Sequence, residues 1–176
     1  MEDFLGKFLM NWRIKAVLPF IQGSNMDLGC GLNVLSKKYY KNSVGVDVFD
    51  WGEVDFLVKD SLKLPFVNSK FYTITIIAAL NHIVNRQKVI FECNRVLKKN
   101  GRLIITMINP SVGQVWHKLR GTNDLDQKLR KASKGEKYGL TSNEIIQILI
   151  NSGFKLTKSK RFMLGLNNLY IFKKIN

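Results

Sequence analysis

The sequence is poor in the residues and segments that would tie it to a secretory, membrane or metal-built class. It has two cysteines, Cys30 and Cys93, in 176 residues. Two thiols cannot build a disulfide framework, and this pair lacks the close spacing of a zinc site, so both read as reduced thiols. Long hydrophobic runs are missing too. The longest apolar stretch, Ile74 to Leu80, falls far short of the ~20 residues that cross a bilayer. The N-terminus opens Met1-Glu2-Asp3, with acids where a secretory signal carries positive charge, and Lys7 interrupts the apolar residues that follow. These absences lead to the expectation of a cytoplasmic protein. Acidic residues are also scarce, 13 against 28 lysines and arginines, for a net charge of +15.

That charge is uneven. Residues 1–88 carry a net +3 and residues 89–176 a net +12, so one half is nearly balanced while the other attracts anions. A lysine-rich solvated surface accounts for this as well as an anionic partner does. The hydrophobic share of 45% and charged share of 23% are those of a globular chain with a real core. With no internal repeat and no linker, residues 1–176 read as one domain.

Phe4, Leu5, Phe8, Leu9, Trp12 and Ala16 recur at helical spacing, which predicts an amphipathic helix over 3–18, ending before Pro19. Packing on its own domain is the plainer role for that helix, and a membrane contact the other. Asn25–Leu28 reads as a strand running into Gly29-Cys30-Gly31, with a helix over Leu32–Tyr40. Val44–Val48 and Val54–Lys59 are the next strands. Phe71–Ile77 is β-branched and nearly all apolar, as a central strand buried on both faces should be. Val89, Ile90, Cys93, Val96 and Leu97 mark one helix face. Asn100-Gly101 ends that helix, and Arg102–Met107 is a fifth strand. Such alternation predicts βαβ units and a parallel sheet. Beyond it, Ser111–Arg120 and Asp124–Lys134 read as short helices. Thr141-Ser142-Asn143-Glu144 is a capping box opening a helix that stops at Gly153. Phe154–Phe162 and Leu169–Lys174 are strands about a turn near Gly165 and Asn167-Asn168.

A glycine pair between strand and helix lets a nucleotide approach the backbone. The dinucleotide fingerprint needs Gly or Ala where this chain has Val34, which argues against NAD. Asp47, at the end of the second strand, is placed to accept from both hydroxyls of a ribose, although a carboxylate capping a turn fits the position nearly as well.

The order of segments Asp27-Leu28-Gly29-Cys30-Gly31, Gly45-Val46-Asp47, Asp60–Phe66, Leu80-Asn81-His82-Ile83, Glu92–Gly101 and Tyr138–Thr141 resembles the class I S-adenosylmethionine-dependent methyltransferases. The resemblance implies a three-layer Rossmann-like α/β sandwich, with a seven-stranded, mostly parallel sheet and a C-terminal antiparallel hairpin. It divides the chain into an N-terminal helix (1–20), a cofactor-binding core (21–108), an acceptor-side insertion (109–140) and a C-terminal helix and hairpin (141–176). It also implies roles. Asp27, Leu28, Gly29, Cys30 and Gly31 would line the methionine end of S-adenosylmethionine, with Asp47 and Val48 at the ribose. Asp60, Ser61 and Leu62 would lie at the adenine, and Ala78 and Ala79 beneath the sulfonium. The cofactor is cationic and has no phosphate, so carboxylates suit its surroundings. Methyl transfer is an in-line displacement that asks the protein chiefly to align reactants and exclude water.

Three residues depart from the pattern. Asn33 stands at a frequent glycine, and Asn tolerates a left-handed backbone. Tyr72 replaces a common acid and Asn81 a common glutamate, both read as near the catalytic side. His82 is the candidate proton acceptor, with a helix-start histidine satisfied by backbone as the competing account. The acceptor is expected to be a small metabolite or a saccharide or lipid-linked molecule, anionic if the cations of 118–137 close over it or dock on an anionic membrane surface. RNA methylation and cofactor binding without transfer are the alternatives. No metal is implied.

Overall fold

The computed structural model describes residues 4–114 and 135–175. Its elements are α1 (Phe4–Val17), β1 (Asn25–Leu28), β2 (Ser43–Asp47), β3 (Phe56–Leu57), β4 (Phe71–Ile77), α2 (Arg86–Val96), β5 (Leu97–Ile108), α3 (Ser142–Ile150), β6 (Phe154–Phe162) and β7 (Asn167–Lys174). The seven strands form one sheet in the order β3-β2-β1-β4-β5-β7-β6. The first five are parallel, and β7 runs antiparallel to both β5 and β6. The fold is the three-layer α/β sandwich with a C-terminal hairpin expected from the sequence.

Strand periodicity supplies both faces of the sheet. Leu103 and Ile105 join Met26, Ile74 and Ile76 under α2 and α3, where Val89, Ile90, Cys93, Val96, Ile145 and Leu149 are buried. Ile104, between them, faces the other way with Leu169 and Ile171, against Ile14 and Val17 of α1 and against Leu35. From β1 the chain steps outward to β2 and β3, then returns to place β4 on the other side of β1. The crevice at such a reversal, outside the carboxyl ends of the strands, is where ligands bind in open α/β sheets.

Several boundaries differ from expectation. The helix foreseen over Leu32–Tyr40 is a single π-helical turn, Leu35–Tyr39, closed by the Tyr40 amide donating to the Leu35 carbonyl at 2.8 Å. Asn33, at φ 52°, is left-handed and cannot belong to a regular right-handed helix. The third strand shrinks to two residues at the sheet edge. The helix α2 stops at Val96, ahead of Asn100-Gly101, because Leu97 is already extended. Lys174 donates to the carbonyls of Asn94 and Leu97 at 2.7 and 2.9 Å, satisfying helix-end acceptors from the far end of the chain. Residues 110–114 are helical. The rest of the helix expected over Ser111–Arg120, and the one over Asp124–Lys134, lie outside the described residues.

Candidate functional site

At the carboxyl ends of β1, β2 and β4 lies a cavity of about 440 Å³. Gly29 leaves β1 at φ 73° and Gly31 follows at φ 53°, so the chain makes a turn that side chains resist. A Cβ on Gly29 would fall 2.5 Å from that of Ala79. Only glycine lets the loops after β1 and β4 come this close. A Cβ on Gly31 would meet nothing within 4 Å, because Gly31 borders the open cavity.

Asp47 holds this loop. One carboxylate oxygen accepts from the Gly31 amide at 2.9 Å, and the other from the Val48 and Phe49 amides at 2.7 and 3.1 Å. The turn-capping account of Asp47 is therefore correct, and Asp47 lines the cavity as well. Behind the loop, Asn33 donates to the Glu53 carbonyl and to Asp55 Oδ2 at 2.9 and 2.8 Å. Its amide fills the space where a Cβ on Gly45 would lie. Asparagine thus replaces the frequent glycine without loss of the left-handed turn, and Gly45 makes room for it.

Of the residues singled out from sequence, Leu28, Gly29, Gly31, Asp47, Val48 and His82 line the cavity, and so do Asp60, Ser61, Leu62, Ala78 and Ala79. Asp60 folds its own turn, accepting from the Leu62 amide at 2.9 Å. Ala78 has φ 53°, with its amide donating to the backbone and side-chain oxygens of Thr106. Asp27 and Cys30 are not among the lining residues. Asp27 lies buried beneath the loop, where Thr75 donates to it at 2.7 Å. Burial pushes its carboxyl up to about 7, aided by the charge of Asp47 and opposed by the Thr75 bond. Burial and then the nearby carboxylates of Asp27, Asp47 and Asp55 push the Cys30 thiol well above its usual value, so it is a poor nucleophile.

Sequence reasoning missed Trp51, Lys59, Ile77, Ile83, Val84, Asn85 and Val89 in the lining. Trp51 stacks obliquely on Phe49, ring centroids 4.8 Å apart, in a loop with no periodic signal. Tyr72 is misplaced in the sequence reading. It lies at the opening of β4, five residues or ~17 Å of extended strand from Ile77, and its ring carries the Lys98 ammonium at 4.0 Å. Asn81 is buried next to His82, outside the lining, and serves as a fastener: its carbonyl accepts from the Lys137 amide and its side chain donates to the Lys137 carbonyl, both at 3.0 Å. Arg86 donates to the carbonyls of Leu80, Asn81 and Gly135 at 3.1, 2.7 and 3.2 Å, and His82 Nδ1 lies 2.9 Å from Glu136 Oε2. Of the expected basic segment 118–137 only residues 135–137 are described. Lys137 is engaged there by Glu144.

The methyltransferase domain family matches residues 26–105, the stretch that holds every one of these strand-end residues. Over those residues the chain is similar to a methyltransferase domain. A demethylmenaquinone methyltransferase of Thermotoga maritima is 39% identical over 97 residues, 55% of this chain and 38% of that protein. The ubiquinone/menaquinone biosynthesis C-methyltransferase of Campylobacter jejuni is 25% identical over 142 residues, 69% of this chain and 58% of that one. The chain thus spans less than two thirds of the length of these relatives. A solved S-adenosylmethionine-dependent methyltransferase of Thermotoga maritima superposes with a TM-score of 0.70 at 16% identity, covering 95% of this chain and 89% of that one. That Thermotoga maritima structure is named for dependence on S-adenosylmethionine. The cavity here suits that cofactor: the glycine loop leaves open space, and acids rather than a cluster of phosphate-binding lysines surround it. No described helix is long and apolar enough to cross a membrane.

Proposed function

We propose that the chain transfers a methyl group from S-adenosylmethionine to a small molecule, and that the acceptor is a ring hydroxyl compound of the hydroquinone type. The observation that carries the reading is one cavity with two kinds of wall. On one side stand Gly29, Gly31, Asp47 and Asp60. On the other, Ile77, Ile83, Val84 and Val89 are apolar, with His82 as the imidazole among them.

The first wall would hold the cofactor: Gly29 and Gly31 at the methionine end, Asp47 at the ribose hydroxyls, Asp60, Ser61 and Leu62 at the adenine, Ala78 and Ala79 below the sulfur. Asp27 supports the loop from beneath rather than touching the ligand. When bound, the cofactor supplies an electrophilic methyl carbon. The protein's part is to exclude water, orient the acceptor and accept its proton. The apolar wall fits an aromatic ring better than a saccharide, and the relatives named for demethylmenaquinone and for ubiquinone/menaquinone biosynthesis support the same class.

Calorimetry with S-adenosylhomocysteine tests the first wall. Asp47→Ala leaves the ribose hydroxyls and the Gly31 amide without their acceptor, and should weaken binding by about 1.5–3 kcal/mol, as for hydrogen bonds to a charged group. An unchanged affinity would remove Asp47 from the cofactor site. Labelled methyl offered with short-tailed demethylmenaquinol, saccharides or RNA tests the second. Label entering RNA or saccharide alone overturns the acceptor class.

A further inference from the structure

We propose that Glu136 is a positioning residue that makes His82 the proton acceptor of the reaction, so that the segment after residue 134 completes the catalytic side. The inference rests on the methyltransferase reading and adds a second residue and a tautomer to it.

The geometry brings together two parts of the chain 54 residues apart. His82 ends the short 3-10 turn Leu80–His82 that follows β4, and its ring lines the cavity. Glu136 Oε2 lies 2.9 Å from His82 Nδ1, with the side chains 11% and 31% exposed respectively. Residues 135–137 are not draped there loosely. Arg86 holds the Gly135 carbonyl, Asn81 pairs with Lys137 through two hydrogen bonds, and Lys137 is tied to Glu144 at the start of α3. This explains the departure at Asn81. A carboxylate there could not donate to the Lys137 carbonyl, whereas the amide does, and so seats Glu136 next to the histidine.

An ionised carboxylate only accepts, so Nδ1 carries a proton, and in the neutral ring the lone pair is then on Nε2. That is the tautomer of a general base oriented by a third group. Among the described residues, the charged groups bonded around the pair are Glu136 itself, Arg86 from α2, and the Lys137–Glu144 pair. As an acceptor hydroxyl is activated, its O–H bond breaks and the proton goes to Nε2. The electron pair stays on the acceptor and would form the new bond to the methyl carbon while the methyl–sulfur pair leaves with S-adenosylhomocysteine; for transfer to a ring carbon, the proton on that carbon then leaves to water and restores the aromatic ring. The imidazolium so formed is stabilised by Glu136, which remains ionised, and its proton later leaves to water.

The chain has two histidines, His82 and His117, so nitrogen-15 NMR of the imidazoles reads this directly, with a His117→Gln variant for assignment. In the full chain with S-adenosylhomocysteine, His82 should be protonated at Nδ1 when neutral, and Glu136→Leu should shift it towards the Nε2-protonated form. Glu136→Gln keeps an acceptor oxygen but not the charge. With short-tailed demethylmenaquinol it should lower kcat at least about tenfold, in the range of acid–base effects, with little change in KM or in S-adenosylhomocysteine affinity. Glu136→Asp should recover part of the loss. A His82 protonated at Nε2, a tautomer indifferent to Glu136→Leu, or a Glu136→Gln enzyme with normal kcat overturns the dyad. Failure of the unaltered chain to bind S-adenosylhomocysteine would instead overturn the underlying methyltransferase reading. If it binds but does not methylate the quinol, the acceptor class falls, and the NMR result alone decides the dyad.

Discussion

Asp27 shows how a motif and the geometry can assign one position different roles. Its place in Asp27-Leu28-Gly29-Cys30-Gly31 marks it as a ligand-facing acid, yet it is 4% exposed and is held by Thr75. Its folded carboxyl titrates at about 7, chiefly because burial disfavours the charge, against an ordinary value of 3.8. Below pH 3.8 the carboxyl is protonated in folded and unfolded chains alike, and the folded state suffers no penalty. As pH rises from there towards 7, the unfolded chain loses the proton while the folded chain retains it, so stability falls and then levels off. Each tenfold difference in proton affinity between the two states corresponds to about 1.4 kcal/mol, which makes the effect on the order of a few kcal/mol. Asp27→Asn removes the titration but keeps an oxygen for Thr75. Thermal melts at pH 5 and pH 8.5 should show the variant gaining on the unaltered protein by several degrees at the higher pH. Parallel melting curves across that range would mean that Asp27 does not carry the titration.

At the scale of elements, legibility followed the range of the forces involved. The strands β1, β4 and β6 begin and end where the sequence placed them, β1 by the glycine turn that follows it and β4 by its β-branched, nearly continuous apolar run, both of them local signals. The box at Thr141 was readable for the same reason: Thr141 Oγ1 accepts from the Glu144 amide at 3.2 Å, and Glu144 Oε2 from the Thr141 amide at 2.8 Å. What could not be read was set from far away. The end of α2 depends on Lys174, and the seat of His82 depends on Glu136; neither pairing leaves a mark in the local pattern. The Tyr72 error had a different source. Tyr72 opens β4, and in a parallel sheet the crevice lies at the carboxyl ends of the strands, so its place at the strand start already sets it apart from the site. The cap also permits a quantitative expectation. Thr141→Ala leaves the Glu144 amide unpaired at the start of α3, and should cost about 1 kcal/mol in chemical denaturation. A change below a few tenths would show that Glu144, also tied to Lys137, secures the helix start without the threonine.

Over the whole molecule the competing quantities are an excess of positive charge and a small number of specific pairs. The net charge of +15 places like charges on neighbouring surface positions, as along β6, where Lys155, Lys158, Lys160 and Arg161 are all exposed. Self-repulsion of this kind destabilises the compact state. Against it stand ion pairs such as Lys37–Asp55 and Arg95–Glu92, which contribute little at a surface. Added salt screens both, since the Debye length shrinks to ~8 Å at physiological strength. The repulsive terms are more numerous and act over longer distances, so screening them should win. The melting temperature is therefore expected to rise between 20 and 300 mM sodium chloride. Sodium sulfate at equal ionic strength should give a similar rise if screening alone is responsible. A fall with salt would mean that the ion pairs outweigh the repulsion. A markedly larger rise in sulfate, saturating at low millimolar concentration, would instead show a specific anion site in the basic half of the chain.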